Sequence, residues 1–256
     1  MKKVNLILVD GMRPDALLRC GHPYVEALLS TSAHALGART VYPPVTLPAH
    51  MSLFHSVDPG RHGVTDNIYT PMARPVKGIM EQLHGRRTTA MCYNWAELRD
   101  VCRPGNCDLS FFISGSAYGH ERATREVAAV SERIMGGLGT DFCFTYLGWV
   151  DEQGHDSGWM SDAYLRAVRE SIGLVERLIE CAKDEYVTIL AADHGGHDRN
   201  HGALIDEDML IPVVIHGEGI RPGAIEGPVS ILDIAPTVVK LLGCEPAREW
   251  EGKSLV

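Results

Sequence analysis

The sequence lacks a long apolar run, a surplus of positive charge and a cysteine framework. No stretch approaches the roughly 18 apolar residues that a membrane-spanning helix requires. Lys and Arg total 24 against 33 Asp and Glu, which gives a formal net charge of −9 at pH 7. Without a basic footprint, the chain is not expected to bind a nucleic-acid polymer. These absences favour a soluble protein that acts on small molecules, without a membrane partner.

The cysteine content gives an expectation about the cellular compartment. The seven cysteines form an odd set without regular spacing, which is typical of free thiols in a reducing compartment. A chain of 256 residues can bury roughly 70–75% of its unfolded surface and needs no disulfides. The first apolar stretch is too short for a signal peptide and ends at Asp10. We expect a cytoplasmic protein with a single catalytic domain over residues 1–256.

Short apolar runs alternate with segments of helical periodicity, a pattern typical of α/β proteins. Because the runs are rich in Val, Ile and Leu, they suit strands that are buried on both faces of a parallel sheet. The sequence therefore predicts a central, mostly parallel sheet flanked by helices on both faces. The predicted strands are Val4–Val9, Thr88–Tyr93, Phe142–Leu147, Val187–Ala191 and Val213–Ile215, and the predicted helices are Glu121–Met135, Ser161–Ala182 and Ile234–Leu242.

Two stretches have no clear period. Asp58–Ala73 is crowded with proline and glycine and is predicted to be a loop. Asn94–Tyr118 is predicted to form a small excursion over the sheet. Cys102 and Cys107 within it lack further metal-ligand partners in the sequence, so free thiols are favoured over a metal pair.

Side chains that can bind metals follow three of the predicted strands. Asp10 follows the first, Asp151 and His155 follow Phe142–Leu147, and Asp193 and His194 follow the strand that ends near Ala191. The carboxyl ends of parallel strands face one crevice, so these residues are expected to converge. Carboxylate oxygen and imidazole nitrogen together suit zinc or manganese.

Glycines accompany two of these groups. Gly154 is predicted to let a turn close between Asp151 and His155, and Gly195 and Gly196 are predicted to permit a sharp turn after His194. The segment from Asp193 to His201 also contains His197 and Asp198, a density of polar groups that packing does not explain. For His197, a solvent-facing side chain is favoured over a role beside the metal.

A fourth segment, Thr46–His50, carries Pro48 and is expected to begin a helix. A threonine there can serve simply as the helix N-cap. Its hydroxyl would also lie at the positive end of the helix dipole, beside backbone N–H groups that favour an alkoxide and an incoming phosphate. Ligation to a divalent cation would make that hydroxyl more acidic.

Taken together, these motifs resemble the alkaline phosphatase superfamily. The threonine motif and Asn67 resemble its nucleotide pyrophosphatase/phosphodiesterase branch, and Asp233–Gly243 resembles the closing helix of the superfamily. The resemblance implies an alkaline-phosphatase-like fold, here in a minimal version without a large cap domain. The motifs are Asp10-Gly11, Thr46–His50, His62–Asn67, Asp151–His155, Asp193-His194-Gly195 and His201-Gly202.

The resemblance implies two divalent metal ions, zinc with manganese as the alternative. One ion would be held by Asp151, His155 and His201, and the other by Asp10, Thr46, Asp193 and His194. Thr46 would attack phosphorus and form a covalent phosphothreonine, which water would then hydrolyse. Asn67 would donate its side-chain amide to a phosphoryl oxygen; its alternative reading is a turn residue after Asp66.

The chain departs from this pattern in two places. The segment between Asn67 and Asp151 is short, so the pocket is expected to be open. Gly196 stands where an apolar residue usually follows the Asp-His-Gly motif. Arg13 and Lys77 are expected to be solvated charges. The remaining histidines are expected to be structural, namely His22, His34, His50, His55, His62, His84, His120 and His216.

The main interpretation is a two-metal phosphodiesterase or nucleotide pyrophosphatase that acts on a small phosphoester, with nucleotides among the candidates. Hydrolysis of phosphate monoesters or of phosphonates by the same metal site is the alternative. A sulfatase or a cofactor-independent phosphoglycerate mutase fits less well, because Thr46 replaces the nucleophile each would use. A binding module that has lost turnover is disfavoured by the full ligand set. The sequence leaves the leaving group and the oligomeric state open.

Overall fold

A computed structural model describes residues 2–182 and 185–256, and within them one eight-stranded sheet forms the centre of the fold. The strands are β1 (Lys3–Val9), β2 (Ala33–Arg39), β3 (Thr89–Tyr93), β4 (Leu109–Phe112), β5 (Phe142–Leu147), β6 (Tyr186–Ala191), β7 (Leu210–His216) and β8 (Gly223–Ala224). They lie in the order β4-β3-β5-β1-β6-β7-β2-β8. All neighbouring pairs are parallel except β6 with β7 and β2 with β7.

The helices of the described ranges are α1 (Pro14–Arg19), α2 (Tyr24–Ser30), α3 (Thr46–His55), α4 (Pro59–His62), α5 (Ile79–Leu83), α6 (Gly115–Tyr118), α7 (His120–Arg133), α8 (Trp149–Ser157), α9 (Asp162–Ala182), α10 (Asp206–Met209) and α11 (Ile234–Leu241). Eight of them form two groups. In the first, α1, α2, α7 and α8 pack around α9, and in the second, α3, α5 and α11 pack on one another. Both groups contact β1, whose residues from Val4 to Val9 are all buried, so they cover the two faces of the sheet.

The predicted fold class is confirmed, because the sheet is mostly parallel and its central strands are buried on both sides. The five predicted strands and three predicted helices all form, with ends that shift by a few residues. The residues between Asn67 and Asp151 build parts of the sheet and its helices, and this stretch contains no separate cap domain. No helix of the described ranges is long and apolar enough to cross a membrane.

Other predictions about local structure were wrong. The stretch Asn94–Tyr118 is not an excursion over the sheet, because it contributes β4, which pairs in parallel with β3 at the edge. The stretch Asp58–Ala73 contains the short helix α4, whose first turn is capped by the side chain of Asp58. Strand β2 was not predicted, since its sequence AHALGAR has no β-branched residue; its pairing with β7 forms it.

Candidate functional site

Three neighbouring strands deliver acidic or metal-binding residues to one edge of the sheet. Asp10 directly follows β1, Asp193 lies two residues beyond β6, and β5 leads through Gly148 into α8. Because β1 lies between β5 and β6 and all three run in parallel, their carboxyl ends meet. Asp10 is 2% exposed and Asp193 is fully buried. The predicted convergence of these segments is therefore seen in the structure.

Asp151 and His155 lie on α8, and the prediction of a turn closed by Gly154 was wrong. One helical turn separates the two side chains, so they share a face, and His155 Nε2 lies 3.4 Å from Asp151 Oδ2. Gly154 instead makes room for Trp159, because a Cβ there would lie 2.7 Å from the indole ring. The indole N–H of Trp159 in turn donates to the carbonyl of Gly11.

The glycines after His194 also serve packing, not the predicted sharp turn. Neither Gly195 nor Gly196 has a positive φ. A Cβ on Gly195 would lie 2.1 Å from the carbonyl oxygen of Glu207, and one on Gly196 would lie 2.2 Å from the Trp159 ring. The backbone here approaches its neighbours too closely for any side chain, which explains the departure at Gly196.

Three histidines direct their Nε2 atoms at the site and use their Nδ1 atoms for contacts with the backbone. The Nδ1 atoms of His155, His194 and His201 hydrogen-bond to backbone carbonyls at 3.0, 2.8 and 2.9 Å. A carbonyl can only accept, so each Nδ1 carries the hydrogen, and in the neutral ring Nε2 is the nitrogen with the lone pair. Backbone contacts of this kind commonly orient histidines that bind metals.

The ligand atoms cluster in two overlapping groups. The atoms of Asp151, His155 and His201 lie within 4.8 Å of one another, and so do those of Asp10, Asp151 and His194. Asp151 thus belongs to both groups. In addition, Asp193 Oδ2 lies 3.3 Å from His194 Nε2, and Thr46 Oγ1 lies 3.2 Å from the same nitrogen. All seven residues that the sequence predicted as metal ligands are brought together.

The polar atoms of the site fit divalent cations. Asp10 Oδ1, Asp151 Oδ1 and Asp193 Oδ2 are buried and have no hydrogen-bond partner among the described residues. Burial raises the pKa of Asp193 to about 7, and burial together with the charges of Asp193 and Asp151 raises the pKa of Asp10 well above its usual value. Crowded buried carboxylates with free lone pairs, beside imidazoles, form the donor set that zinc and manganese bind.

The pKa values of two histidines differ because their surroundings differ. The hydrogen bond to Asp151 raises the pKa of His155 to about 9, whereas burial lowers the pKa of His201 to about 4. A proton on His155 Nε2 would occupy the position at which a metal binds. Metal affinity at this group should therefore depend on pH.

Thr46 is the first residue of α3, where Val45 provides the extended N-cap, so Thr46 is not itself the cap. Its side chain is nearly buried and points to His194. The backbone N–H of Leu47 donates to Asn67 Oδ1 at 3.0 Å, which ties the exposed Asn67 to the first turn of α3. Both Thr46 and Asn67 line a cavity of about 160 Å³.

Two other polar residues of the neighbourhood support the loops. His197 Nδ1 lies 2.8 Å from Asp208 Oδ1, and Asp208, which is fully buried, also accepts from the backbone N–H of Ala203. Arg13 is not the solvated charge that the sequence predicted, because it is partly buried, pairs with Asp15 and donates to the carbonyl of Gly196. Both contacts hold the segment after β6 in place.

Sequence reasoning missed several residues that line the cavity: Asn94, Trp95, Tyr146, His120 and Glu152. Asn94 and Trp95 directly follow β3, so the rule that identified Asp10 and Asp193 could have found them. Tyr146 is the last residue but one of β5 and donates its hydroxyl hydrogen to Asp10 Oδ2. His120 was assigned a structural role, and only the packing of α7 beside α8 brings it to the cavity.

Comparisons with known proteins agree with this architecture. Murine ectonucleotide pyrophosphatase/phosphodiesterase 5 superposes with a TM-score of 0.72 at 14% identity, over 96% of both chains. The phosphonate monoester hydrolase of Agrobacterium radiobacter superposes with a TM-score of 0.73 at 16% identity, over all of this chain and 76% of that one. At such identities the likeness establishes the fold, and the predicted alkaline-phosphatase-like fold is confirmed.

Sequence comparisons identify the family. A phosphopentomutase of Proteus mirabilis (strain HI4320) is 33% identical over 91 residues, which span 31% of this chain and 20% of that enzyme. Residues 4–88 and 81–212 match the family model of type I phosphodiesterase / nucleotide pyrophosphatase, well over half of the chain. The chain therefore belongs to the type I phosphodiesterase / nucleotide pyrophosphatase family.

Proposed function

We propose that the protein is a two-metal phosphodiesterase that cleaves small phosphoesters through a covalent phosphothreonine on Thr46. The observation that carries the proposal is the position of the Thr46 hydroxyl. It lies at the start of α3 and 3.2 Å from His194 Nε2, the nitrogen on which Asp10 and Asp193 also converge. A hydroxyl beside a metal-ligand set at a helix N-terminus is suited to act as a nucleophile.

In this proposal Asp151, His155 and His201 hold one ion, and Asp10, Thr46, Asp193 and His194 hold the other. Zinc is the preferred candidate because histidine and carboxylate are its usual ligands, and manganese accepts the same donors. The ions, when bound, would lower the pKa of the attacking hydroxyl or water and neutralise charge on the attacking and leaving oxygens. Asp151 lies within reach of both groups and would couple them.

The reaction would proceed in two steps on Thr46. The Thr46 oxygen loses its proton to solvent and attacks phosphorus, and the bond to the leaving alcohol breaks as that oxygen takes up a proton. Water then attacks the phosphothreonine, releases the phosphate monoester and restores the hydroxyl. Asn67, held through Oδ1 by the Leu47 N–H, would direct its amide hydrogens at the phosphoryl oxygen, together with the N–H of Thr46.

The charge of the cavity supports a diester over a monoester. Within the described ranges, no lysine or arginine lines the cavity, whereas Glu152 does. A phosphate monoester dianion would meet no lysine or arginine there, while a diester carries only one negative charge. Phosphate monoesters are therefore the less favoured substrates, and phosphonate monoesters, which also carry a single charge, stay the alternative.

Rates on three chromogenic esters test the proposal. The metal-loaded protein is assayed with p-nitrophenyl phosphate, bis-p-nitrophenyl phosphate and the p-nitrophenyl ester of thymidine 5′-monophosphate. We expect both diesters to be hydrolysed faster than the monoester. Equal or faster monoester turnover would mean that the substrate class is wrong. Intact-protein mass spectrometry after rapid acid quenching should detect the phosphorylated protein, and the signal should be lost in Thr46→Ala.

A further inference from the structure

One wall of the cavity is formed by residues that contribute nothing to the metal-ligand set. It comprises Asn94, Trp95, His120 and Glu152, which we call the outer wall. The wall continues into a second, more open pocket of about 530 Å³, which shares His120 and Glu152 with the first. A substrate group attached to the reacting phosphate would meet the outer wall.

Asn94 offers a buried acceptor without a partner. Its side chain is 3% exposed, and Nδ2 donates to Thr124 Oγ1 of α7 at 2.9 Å, which fixes the amide. The carbonyl oxygen Oδ1 has no hydrogen-bond partner in the part of the chain that the structure describes. Leaving such an acceptor unmatched is unfavourable, so a ligand that donates a hydrogen bond to it would gain affinity.

The backbone is shaped to keep this acceptor in place. A Cβ on Gly148 would lie 2.7 Å from the Tyr146 ring and 2.8 Å from Asn94 Oδ1, so the ring and the amide oxygen together occupy the space that any side chain at position 148 would take. The backbone carbonyl of Asn94 also accepts from the N–H of Gly115, and a Cβ on Gly115 would lie 2.7 Å from the His120 ring. Two close approaches therefore fix Asn94 and His120 relative to the cavity.

The rest of the outer wall combines polar and aromatic surface. His120 Nε2 and Glu152 Oε1 lie 3.5 Å apart, and their side chains are 28% and 42% exposed. The carboxylate can accept from a hydroxyl group, and the half-buried Trp95 offers apolar surface to C–H groups. Two acceptors and an aromatic ring around a cavity of about 160 Å³ match a small group that is polar at its edges and apolar on its face.

We propose that the outer wall recognises a hydroxyl-bearing group, a sugar or a polyol, esterified to the phosphate that Thr46 attacks. Asn94 Oδ1 accepts a hydrogen bond from one hydroxyl, Glu152 accepts from a second, and Trp95 packs on the carbon skeleton. A neutral hydroxyl matches the acceptors without adding charge to the cavity. This inference rests on the proposed phosphodiesterase function and names its substrate class.

Two pairs of p-nitrophenyl diesters test the inference and separate its possible sources. One pair is the glyceryl and the propyl ester, and the other is the thymidine 5′-ester with and without its 3′-hydroxyl. The leaving group is the same throughout, so kcat/KM ratios within a pair report recognition of the hydroxyl. We expect a preference of roughly 10–100-fold for the hydroxyl-bearing member of at least one pair. The pair that shows it distinguishes a polyol from a nucleoside.

Variants and a binding measurement complete the test. In Asn94→Ala the preference should fall to about 3-fold or less, while Asn106→Ala, an asparagine in a distant turn, should keep it. Metal content should stay unchanged in both variants, and its loss in Asn94→Ala would make Asn94 a metal-site residue and overturn the inference. Calorimetric binding of the same esters to Thr46→Ala protein should show the same preference without turnover.

The outcomes distinguish the two proposals. Equal rates and equal binding within both pairs would overturn hydroxyl recognition and leave the phosphodiesterase intact. If no diester is hydrolysed by metal-loaded protein, the proposed function is wrong. The binding difference in Thr46→Ala protein would then still decide whether the outer wall recognises hydroxyl groups.

Discussion

The hydroxyl of Thr46 lies 3.2 Å from His194 Nε2, in a buried position at the start of α3. The carbonyl of Gly195 accepts from His194 Nδ1, so in the neutral ring the nitrogen that faces Thr46 is the one with the lone pair. The contact joins the proposed nucleophile to His194, beside which Asp10 and Asp193 also lie. It is the relationship on which the proposed chemistry depends.

Replacement of Thr46 by alanine should lower kcat on bis-p-nitrophenyl phosphate by about 10³-fold or more, because the attacking oxygen is removed. Thr46→Ser should retain a large part of the rate, since it keeps the hydroxyl at the same backbone position. Metal content, measured by atomic emission, should be unchanged in both variants. Wild-type rates in Thr46→Ala would exclude the covalent mechanism.

Removal of metal should stop turnover and lower the melting temperature. The proposed ligands come from β1, α3, α8 and the segment after β6, so bound ions tie distant parts of the chain together. We expect zinc or manganese to restore both activity and melting temperature after chelation, and magnesium to do so less well. Full activity in verified metal-free protein would contradict the two-metal mechanism, as would a melting temperature that chelation leaves unchanged.

The sequence was sufficient for five of the eight strands and for the metal-ligand candidates because both depend on local patterns. Buried strands are visible as apolar runs, and the rule that parallel strands end at one edge brings Asp10 and Asp193 together from the sequence alone. The ligand roles themselves stay predictions. The single domain over residues 1–256 also stays a prediction.

Features that depend on close approach could not be read from the sequence. Gly154 and Gly196 are small because both face the Trp159 ring, which only the packed structure reveals. His120 reaches the cavity because α7 packs beside α8, and β2 forms through its pairing with β7 in spite of its weak strand propensity. In each case tertiary contacts decide what the local sequence leaves open.

Substitution of Gly196 by alanine should destabilise the protein by about 1–3 kcal/mol, because the new methyl group would lie 2.2 Å from the Trp159 ring. Trp159 donates to the carbonyl of Gly11, so its displacement should also disturb the turn next to Asp10 and weaken metal binding. Chemical denaturation and zinc titration measure the two effects. Gly137→Ala, at an exposed helical position with no atom within 4 Å of the new Cβ, is the matched control. Equal stability of both variants would show that the packing around Trp159 is loose.

Stability should fall in acid partly because of His62, whose site favours the neutral ring. The backbone N–H of Val64 donates to His62 Nδ1, Ser52 Oγ lies 3.0 Å from Nε2, and the side chain is 1% exposed. Burial lowers the pKa of His62 to about 4. A folded pKa below the unfolded value of about 6.5 means that the unfolded chain binds the proton more readily. The free energy of unfolding is therefore unaffected above that pH and decreases as pH falls from about 6.5 towards 4, by up to about 3 kcal/mol for a shift of this size.

His62→Gln should flatten this part of the pH profile, because glutamine does not titrate, although the variant loses some stability at neutral pH. His84→Gln, at an exposed histidine, should leave the profile of the wild type unchanged. Urea unfolding of metal-free protein between pH 4 and 8 makes the comparison, since it removes the separate effect of protons that compete with metal. Identical slopes for His62→Gln and the wild type would mean that the folded protein accommodates protonated His62. That outcome would contradict the role of Nδ1 as the acceptor of the hydrogen bond from the Val64 N–H.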